Sequence, residues 1–511
     1  MDLKSKVEKI KKSFKNNEGL KVRNFYAFDK EFALLYLQSF ADFDVISKDI
    51  LKPILESNLN YDEFKNKTII TNEENTKDDF VNFLAKRVLS SGEIEITNKQ
   101  EDYIEKLTRG EKVLLISGCE NAIIVNAKKL EKRAIIEPPN NNVVRGPREG
   151  FIEDINSNIN LIRKRLVTND LKIENLEIGK FTKTKVAILY LTKVADRKIV
   201  KKIKQRLQNI DIDGIIDSYY LVDFLEEYPT SIFKQVGFAE KPDIVTAKML
   251  EGRVAIMVDG SPIVLTLPFI LLEDLQSGGD YYEENNNVTF VRIIRFFGLF
   301  IAITMPGIYI ALQLYHYKAL PLKFLVTIIN SSQNIPMPPA IEVLFVFFMF
   351  EILYEASVRT PKSLGSSFNI IGALILGDTA VKSNLASAPT IMIVALSSIA
   401  IYLIPEGTTV MRLLRLGLTL MATMIGIVGV CVGILFIVAY LCDFDSYGAD
   451  YMTPIAPYHG SDFKDAFYKG NITTYKYRPV GIKQKNKIRQ GDKKWWRKIV
   501  KLVVHNYVLF S

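Results

Sequence analysis

Hydrophobic and polar residues follow two different rhythms along the chain, and the change falls near residue 285. Before it, apolar runs are short and punctuated. Residues 24–28 and 32–37 read as two strands around Asp29 and Lys30, and 42–57 mixes charged and apolar residues at helical spacing. Residues 113–117 and 121–126 flank Gly118, Cys119 and Glu120 as a β-hairpin, and 134–137 adds a strand before Pro138 and Pro139. A turn at 144–150 leads into a helix with Ile152, Ile155, Ile159, Ile162 and Leu166 on one face. Arg163, Lys164 and Arg165 close its last turn, where cations suit the helix dipole.

Strands follow at 171–178 and 185–191, then a basic amphipathic helix at 196–208. A helix at 215–226 ends before Tyr228 and Pro229, a short helix spans 244–250, and 254–258 with 263–267 flank Asp259-Gly260-Ser261-Pro262 as a hairpin. The expected organisation is an α/β soluble N-terminal region of two small subdomains, 20–142 and 169–285, joined by a connector helix within 143–168. That helix is either a packed connector or a coupling element whose Arg145 and Arg148 contact another subunit.

After 285 the rhythm lengthens. Residues 296–315, 385–404 and 416–442 are free of charge, and about 20 apolar residues match the roughly 30 Å hydrocarbon core of a bilayer. Arg292 and Arg295 anchor the first run, and Pro306 interrupts it as a candidate hinge. Residues 320–341 carry several amides and four prolines, so they form an external loop or a segment dipping into the membrane against protein. Residues 341–357 form an apolar helix with Glu342, Glu351 and Glu355; Arg359 stands one turn beyond Glu355, and Glu342 falls nearly opposite Glu351. Carboxylates there need a partner or a wet space, which makes them an interhelical Glu–Arg clamp or a cation path. Residues 363–377, followed by Asp378, suit a re-entrant or broken helix, and 406–409 an external turn. Gly426, Gly429 and Gly433 mark a helix-packing face. The expectation is an α-helical membrane domain at 286–445 with about four spans and re-entrant segments, both termini being cytoplasmic, and a basic cytoplasmic tail at 446–511.

Charge sharpens this picture. The net charge is +9, and 476–501 contains one acid, Asp492; after a membrane helix this answers the positive-inside rule, and nucleic acid is not expected as a partner. Residues 494–510 read as an amphipathic segment on membrane lipid. The stretch 1–19 lacks the apolar core of a signal peptide. The three histidines, His316, His459 and His505, fall outside the soluble half, the three cysteines are read as free thiols, and no phosphate-binding glycine loop or metal-ligand cluster is present. No enzyme activity, metal or cofactor is expected.

Several stretches, taken in order, resemble the A subunits of the GerA-type spore germinant receptors: 144–154, Glu240-Lys241-Pro242-Asp243, 258–262, Met305-Pro306-Gly307-Ile308-Tyr309, 350–361 and 453–465. The resemblance covers about residues 24–470, with Met305 where the family has Leu. It implies a subunit of the spore inner membrane that works with a permease-like B subunit, the expected site for small nutrients, and a lipoprotein C subunit. It also implies a homo-oligomeric ring that conducts cations when germinant binds. The pore and gating candidates are then Glu342, Glu351, Glu355, Arg359, Asp378 and Pro306. The SpoVAF-type relatives share these features, and the motifs do not separate the two. Two other classes stay open. One is a secondary transporter that binds solute itself, for which no internal repeat is visible; the other is a non-conducting scaffold for receptor partners.

Overall fold

The computed structural model describes residues 3–14, 17–41, 43–57, 76–126, 145–359 and 377–490. The expected strand at 134–137, most of the segment at 363–377 and the amphipathic stretch at 494–510 lie outside the described residues. Two compact units are present: one holds residues 1–229, 235–268 and 476–511, the other 230–234 and 269–475.

The first unit contains two antiparallel sheets of five strands. In the first sheet β1 (Leu20–Ala27) and β2 (Lys30–Leu37) form a hairpin, and β3 (Ile94–Thr97), β4 (Lys112–Ile116) and β5 (Ala122–Val125) complete the order β1-β2-β4-β5-β3. In the second, β6 (Leu171–Ile178), β7 (Thr184–Leu191), β8 (Gly237–Ala239), β9 (Val254–Val258) and β10 (Val264–Leu267) run in the order β6-β7-β9-β10-β8. The two orders are the same, offset by five strands.

The helices repeat as well. α1 (Leu3–Ser13) precedes β1, and α2 (Gln100–Thr108) lies between β3 and β4. Correspondingly, α3 (Ile155–Arg165) precedes β6, and α5 (Pro242–Glu251) lies between β8 and β9. Strand alternation splits each sheet into two faces. Ala33, Leu35 and Leu37 pack under α1 and α2 with Leu3, Ile10 and Leu107, whereas Phe32 and Leu34 face the helical stretches Phe43–Ile46, Ser47–Leu51, Lys52–Leu55 and Leu84–Val88. In the second sheet Ile173, Ala187, Leu189 and Met257 pack against Ile155, Ile159 and Ile162 of α3 and Met249 of α5. The opposite face carries α4 (Arg197–Gln208).

The subdomain is therefore duplicated, and α3 is the opening helix of the second copy. Its N-cap Asp154 accepts from Ser157 N at 2.8 Å. The helix expected at 215–226 is instead a short helical turn, Ser218–Leu221, followed by Val222–Leu225. Asp217 stops it from starting earlier, because its carboxylate caps Tyr219 N at 3.0 Å and binds Ser261 Oγ at 2.5 Å. After residue 475 the chain adds a strap, 476–490, to the second copy. Ile482 is buried, Lys485 N donates to Val194 O at 2.9 Å, and Arg478 Nε donates to Leu250 O at 2.6 Å.

The second unit is helical: α6 (Asn285–Leu314), α7 (Leu322–Ser332), α8 (Pro339–Arg359), α9 (Ala388–Ile401), α10 (Thr408–Ile425) and α11 (Ile427–Asp443). Two of these, α6 and α10, are long and apolar enough to cross a membrane, and α7, α9 and α11 are apolar but shorter. Three expectations are corrected here. The run 416–442 is two helices, because Gly426 takes φ 69° and turns the chain back. Its position is closed to larger residues, since a Cβ there would meet the Tyr315 ring at 3.0 Å. The run 385–404 yields a helix of 14 residues, about 21 Å at 1.5 Å per residue. Finally, 406–409 is not at the far end from the start of α6: Gly407 and Glu406 sit against Asp274, just before α6 begins. Residues 320–341, left open between a loop and a dipping segment, contain α7, of which only Ile328 is buried.

α10 runs alongside α6 in the same direction, with Gly307 of α6 close to Leu418 O and Ala422. α11 folds back on α10 so tightly that a Cβ on Gly429 would overlap the Met421 carbonyl, whereas one on Gly417 would meet nothing. Gly417→Ala should therefore raise helix stability by up to about 1 kcal/mol. Gly429→Ala should cost about 1–3 kcal/mol. Thermal unfolding of the two variants in detergent checks this; equal midpoints would contradict the tight hairpin.

Candidate functional site

Charges in the helical unit are distributed over separate partners. Glu342, near the start of α8, is 1% exposed. Its Oε1 accepts from Ser387 N and Ser387 Oγ, both at 2.7 Å. Ser387 is the N-cap of α9, so the carboxylate lies where the helix dipole and an otherwise orphan amide favour an anion. Thr390 Oγ1 links this cluster onward, 2.9 Å from Ser387 Oγ and 3.2 Å from the Tyr309 hydroxyl of α6. Three helices thus meet at one buried polar knot.

Glu351 faces another way and pairs with Arg412 of α10, whose guanidinium lies 4.3 Å from the centroid of the Tyr354 ring. This is an interhelical clamp. Glu355 binds Arg359 on its own helix at 2.7 Å, and Asp378 binds Lys382 at 2.6 Å; both pairs are exposed. Glu342, Glu351, Glu355, Arg359 and Asp378 are therefore not brought together. Pro306 is buried within a continuous α6. Gly429 and Gly433 face α10, and Gly426 forms the turn. Arg145 and Arg148 are exposed ahead of α3.

Arg412 and Arg415 were missed because the span was drawn from the first charge-free residue, Leu416. The helix starts at Thr408 and takes both arginines inside. Arg415 is 4% exposed, donates to Ser398 Oγ at 2.9 Å and Ser397 Oγ at 3.3 Å, and lies 4.5 Å from the centroid of the Phe347 ring.

At the end where α6 begins, Arg292 and Arg295 both bind Asp280, at 3.2 and 2.7 Å, and Arg292 also binds Asp465 at 3.1 Å. Nearby, Lys234 lies between Asp274 at 3.4 Å and Glu406 at 3.3 Å. Burial pushes the Asp274 carboxyl up to about 6; Lys234 opposes this, and Glu406 and Glu273 add to it.

The α/β unit holds a different feature. Arg163 does not close the outer turn of α3 with its neighbours. Lys164 and Arg165 bind Glu149 at 3.0 and 2.6 Å, while Arg163 turns inward and is 2% exposed. Neither its Nε nor its Nη2 has a hydrogen-bond partner, and burial lowers its pKa to about 10. It lines a cavity of about 380 Å³ between the two subdomains, with Gln38, Asn156, Asn175 and Lys185. The subdomains are held together around it by Asn17 Nδ2 on Leu171 O at 2.9 Å and Asn169 Nδ2 on Ser13 O at 3.1 Å. A buried guanidinium with empty donors suits a carboxylate or another small anion.

A duplicated α/β region and a unit of helices that bury charge against one another make up the described chain. The chain belongs to the GerA family: the family model described as Bacillus/Clostridium GerA spore germination protein matches residues 8–480. It is 31% identical over 461 residues to spore germination protein KA of Bacillus subtilis (strain 168), covering 90% of this chain and 82% of that one. It is 30% identical over 493 residues to spore germination protein B1 of the same organism, covering 96% and 99%. A solved structure, the N-terminal domain of the A subunit of the Bacillus megaterium spore germinant receptor GerK3, is 26% identical, covers 52% of this chain and 93% of that one, and gives a TM-score of 0.38.

The raised pKa of Asp274 fixes the sign of a pH effect. Its stabilising contribution is present below the ordinary carboxyl pKa of 3.8 and is lost as pH rises through about 6. Removing the charge with Asp274→Asn should flatten the fall in thermal stability between pH 4 and 7, a difference of about 3 kcal/mol at most. Identical pH profiles for the two proteins would show that Asp274 does not titrate there.

Proposed function

We propose that this chain is an A subunit of a nutrient germinant receptor in the inner membrane of a bacterial endospore. In this reading it oligomerises and forms a ligand-gated cation channel that triggers germination. It works with a permease-like B subunit and a lipoprotein C subunit, and both termini face the cytoplasm. The names of its relatives support the role in spore germination. The observation that carries the channel reading is the burial of Glu342 and Arg415 between facing helices. A passive anchor has no need for such charges, which are costly at membrane depth. Large apolar side chains pointing outward, such as Phe297, Ile399, Leu435 and Phe436, support contact with lipid or with other subunits. The exposed Arg145 and Arg148 remain the proposed contacts to a partner subunit.

Glu351→Gln and Glu342→Gln should each change cation flux through the full chain reconstituted in liposomes, and ion release from spores, without abolishing assembly. Unchanged flux in both variants would remove these residues from the pore. No flux from the assembled wild type would favour a scaffold.

The Arg163 cavity favours a second reading, in which this chain itself receives a carboxylate-bearing small molecule. Arg163→Met removes a buried charge without a partner, so the free variant should be as stable as the wild type or more stable by about 1–3 kcal/mol. It should also lose the thermal shift that an amino acid ligand confers on the wild type. A retained shift across an amino acid panel would exclude this site.

A further inference from the structure

The basic helix α4 plays no part in the readings above, yet it forms one wall of the larger cavity in the second subdomain. The space measures about 510 Å³ and is lined by five cations, Lys172, Arg197, Lys201, Lys204 and Lys485. The single carboxylate among its lining residues, Glu174, is already occupied. Its Oε1 accepts from the Tyr190 hydroxyl at 2.6 Å and meets Lys172 at 3.2 Å, and its Oε2 accepts from Lys204 at 2.5 Å. Burial would raise the Glu174 pKa, but these hydrogen bonds outweigh it and hold the carboxyl down to about 2. Glu174 is thus a fixed anion that positions two lysines and leaves the cavity with more positive charge than it can neutralise. The floor is less polar, formed by Ala195, Val200 and the Tyr190 ring.

The fifth cation comes from the strap. Lys485 is held in place by its backbone N–H on Val194 O at 2.9 Å, and the preceding Gln484 bridges to Ala195. Residues about 290 positions apart in sequence therefore complete one cationic rim. Several converging ammonium and guanidinium groups match the charge and acceptor geometry of a phosphate group. The volume and the apolar floor leave room for an organic portion beside it. We propose that this cavity binds the phosphate of a phosphorylated molecule, either soluble or as the headgroup of an anionic lipid. Lys485 belongs to the strap, so a ligand that pairs with it and with the cations of α4 holds the strap on the second subdomain.

The test uses the full chain in detergent with inorganic pyrophosphate as probe, read by equilibrium dialysis at physiological salt and by hydrogen exchange at the strap amides. Pyrophosphate should bind and slow exchange at Lys485. The double charge reversal Lys201→Glu with Lys485→Glu should weaken binding at least tenfold. Lys201→Gln, at an exposed side chain, should weaken it about threefold and guards against a folding defect in the double variant. Displacement of pyrophosphate by short-chain phosphatidylglycerol, but not by phosphatidylcholine, assigns the phosphate to a lipid; displacement by glycerol phosphate alone assigns it to a soluble molecule. Binding no stronger than that of chloride at matched ionic strength, or equal binding by wild type and the charge variants, would overturn the proposal.

Discussion

A charge taken out of water loses several kcal/mol of hydration unless protein groups replace it, and both units of this chain face that constraint. The helical unit answers it with partners at Glu342, Arg415 and Arg292. Glu342 accepts two hydrogen bonds at the start of α9, Arg415 donates to two serine hydroxyls above an aromatic ring, and Arg292 is held by two aspartates. Ser387 lies 45 residues from Glu342 and Asp465 lies 173 residues from Arg292, so these charges also fix which segments lie together. The α/β unit answers it incompletely at Arg163, where two donors are buried with nothing to bind. Breaking even with an apolar side chain of similar size is the most such an unpaired guanidinium offers to stability.

Much of the α/β region was legible from local signals. Hairpins announced by Asp29-Lys30, by Gly118 and by Asp259-Gly260 have the expected strands on either side, and Asp196 caps α4 where the basic helix was expected to begin. The duplication was not legible, because it resides in strand order and helix placement while the side chains differ. Phe32 and Phe80 fill one face of the first sheet, where the second sheet carries Glu174 and Tyr190. The inward turn of Arg163 was hidden for a related reason: three adjacent cations look alike in sequence, and only packing decides which one is buried.

The helical region shows how a charge-free window misplaces boundaries. Starting a span at Leu416 excluded Arg412 and Arg415, although their partners Glu351, Ser397 and Ser398 allow both to lie within a helix. At the other end, an unbroken apolar run concealed a reversal, because hydropathy carries no information about φ. Gly426 was noted as a packing residue, but its φ of 69° makes it a turn, and the Tyr315 ring beside it leaves no space for a side chain.

Duplication followed by divergence explains why the second subdomain, rather than the first, carries the unusual chemistry. Both copies cover each sheet face with helices, but the first uses stacked and edge-on aromatic rings, Phe25 on Phe32 at 5.2 Å and Phe28 on Phe80 at 5.9 Å. Such packing contributes stability. In the second copy the corresponding face is polar around Glu174, and it is this copy that anchors the chain after it leaves the helical unit, through Arg478 and Lys485. The strap brings Lys485 to the same cationic cavity that α4 lines. In the proposed binding mode a group that neutralises the cavity strengthens the hold on the strap, because it offsets the repulsion among the lining cations.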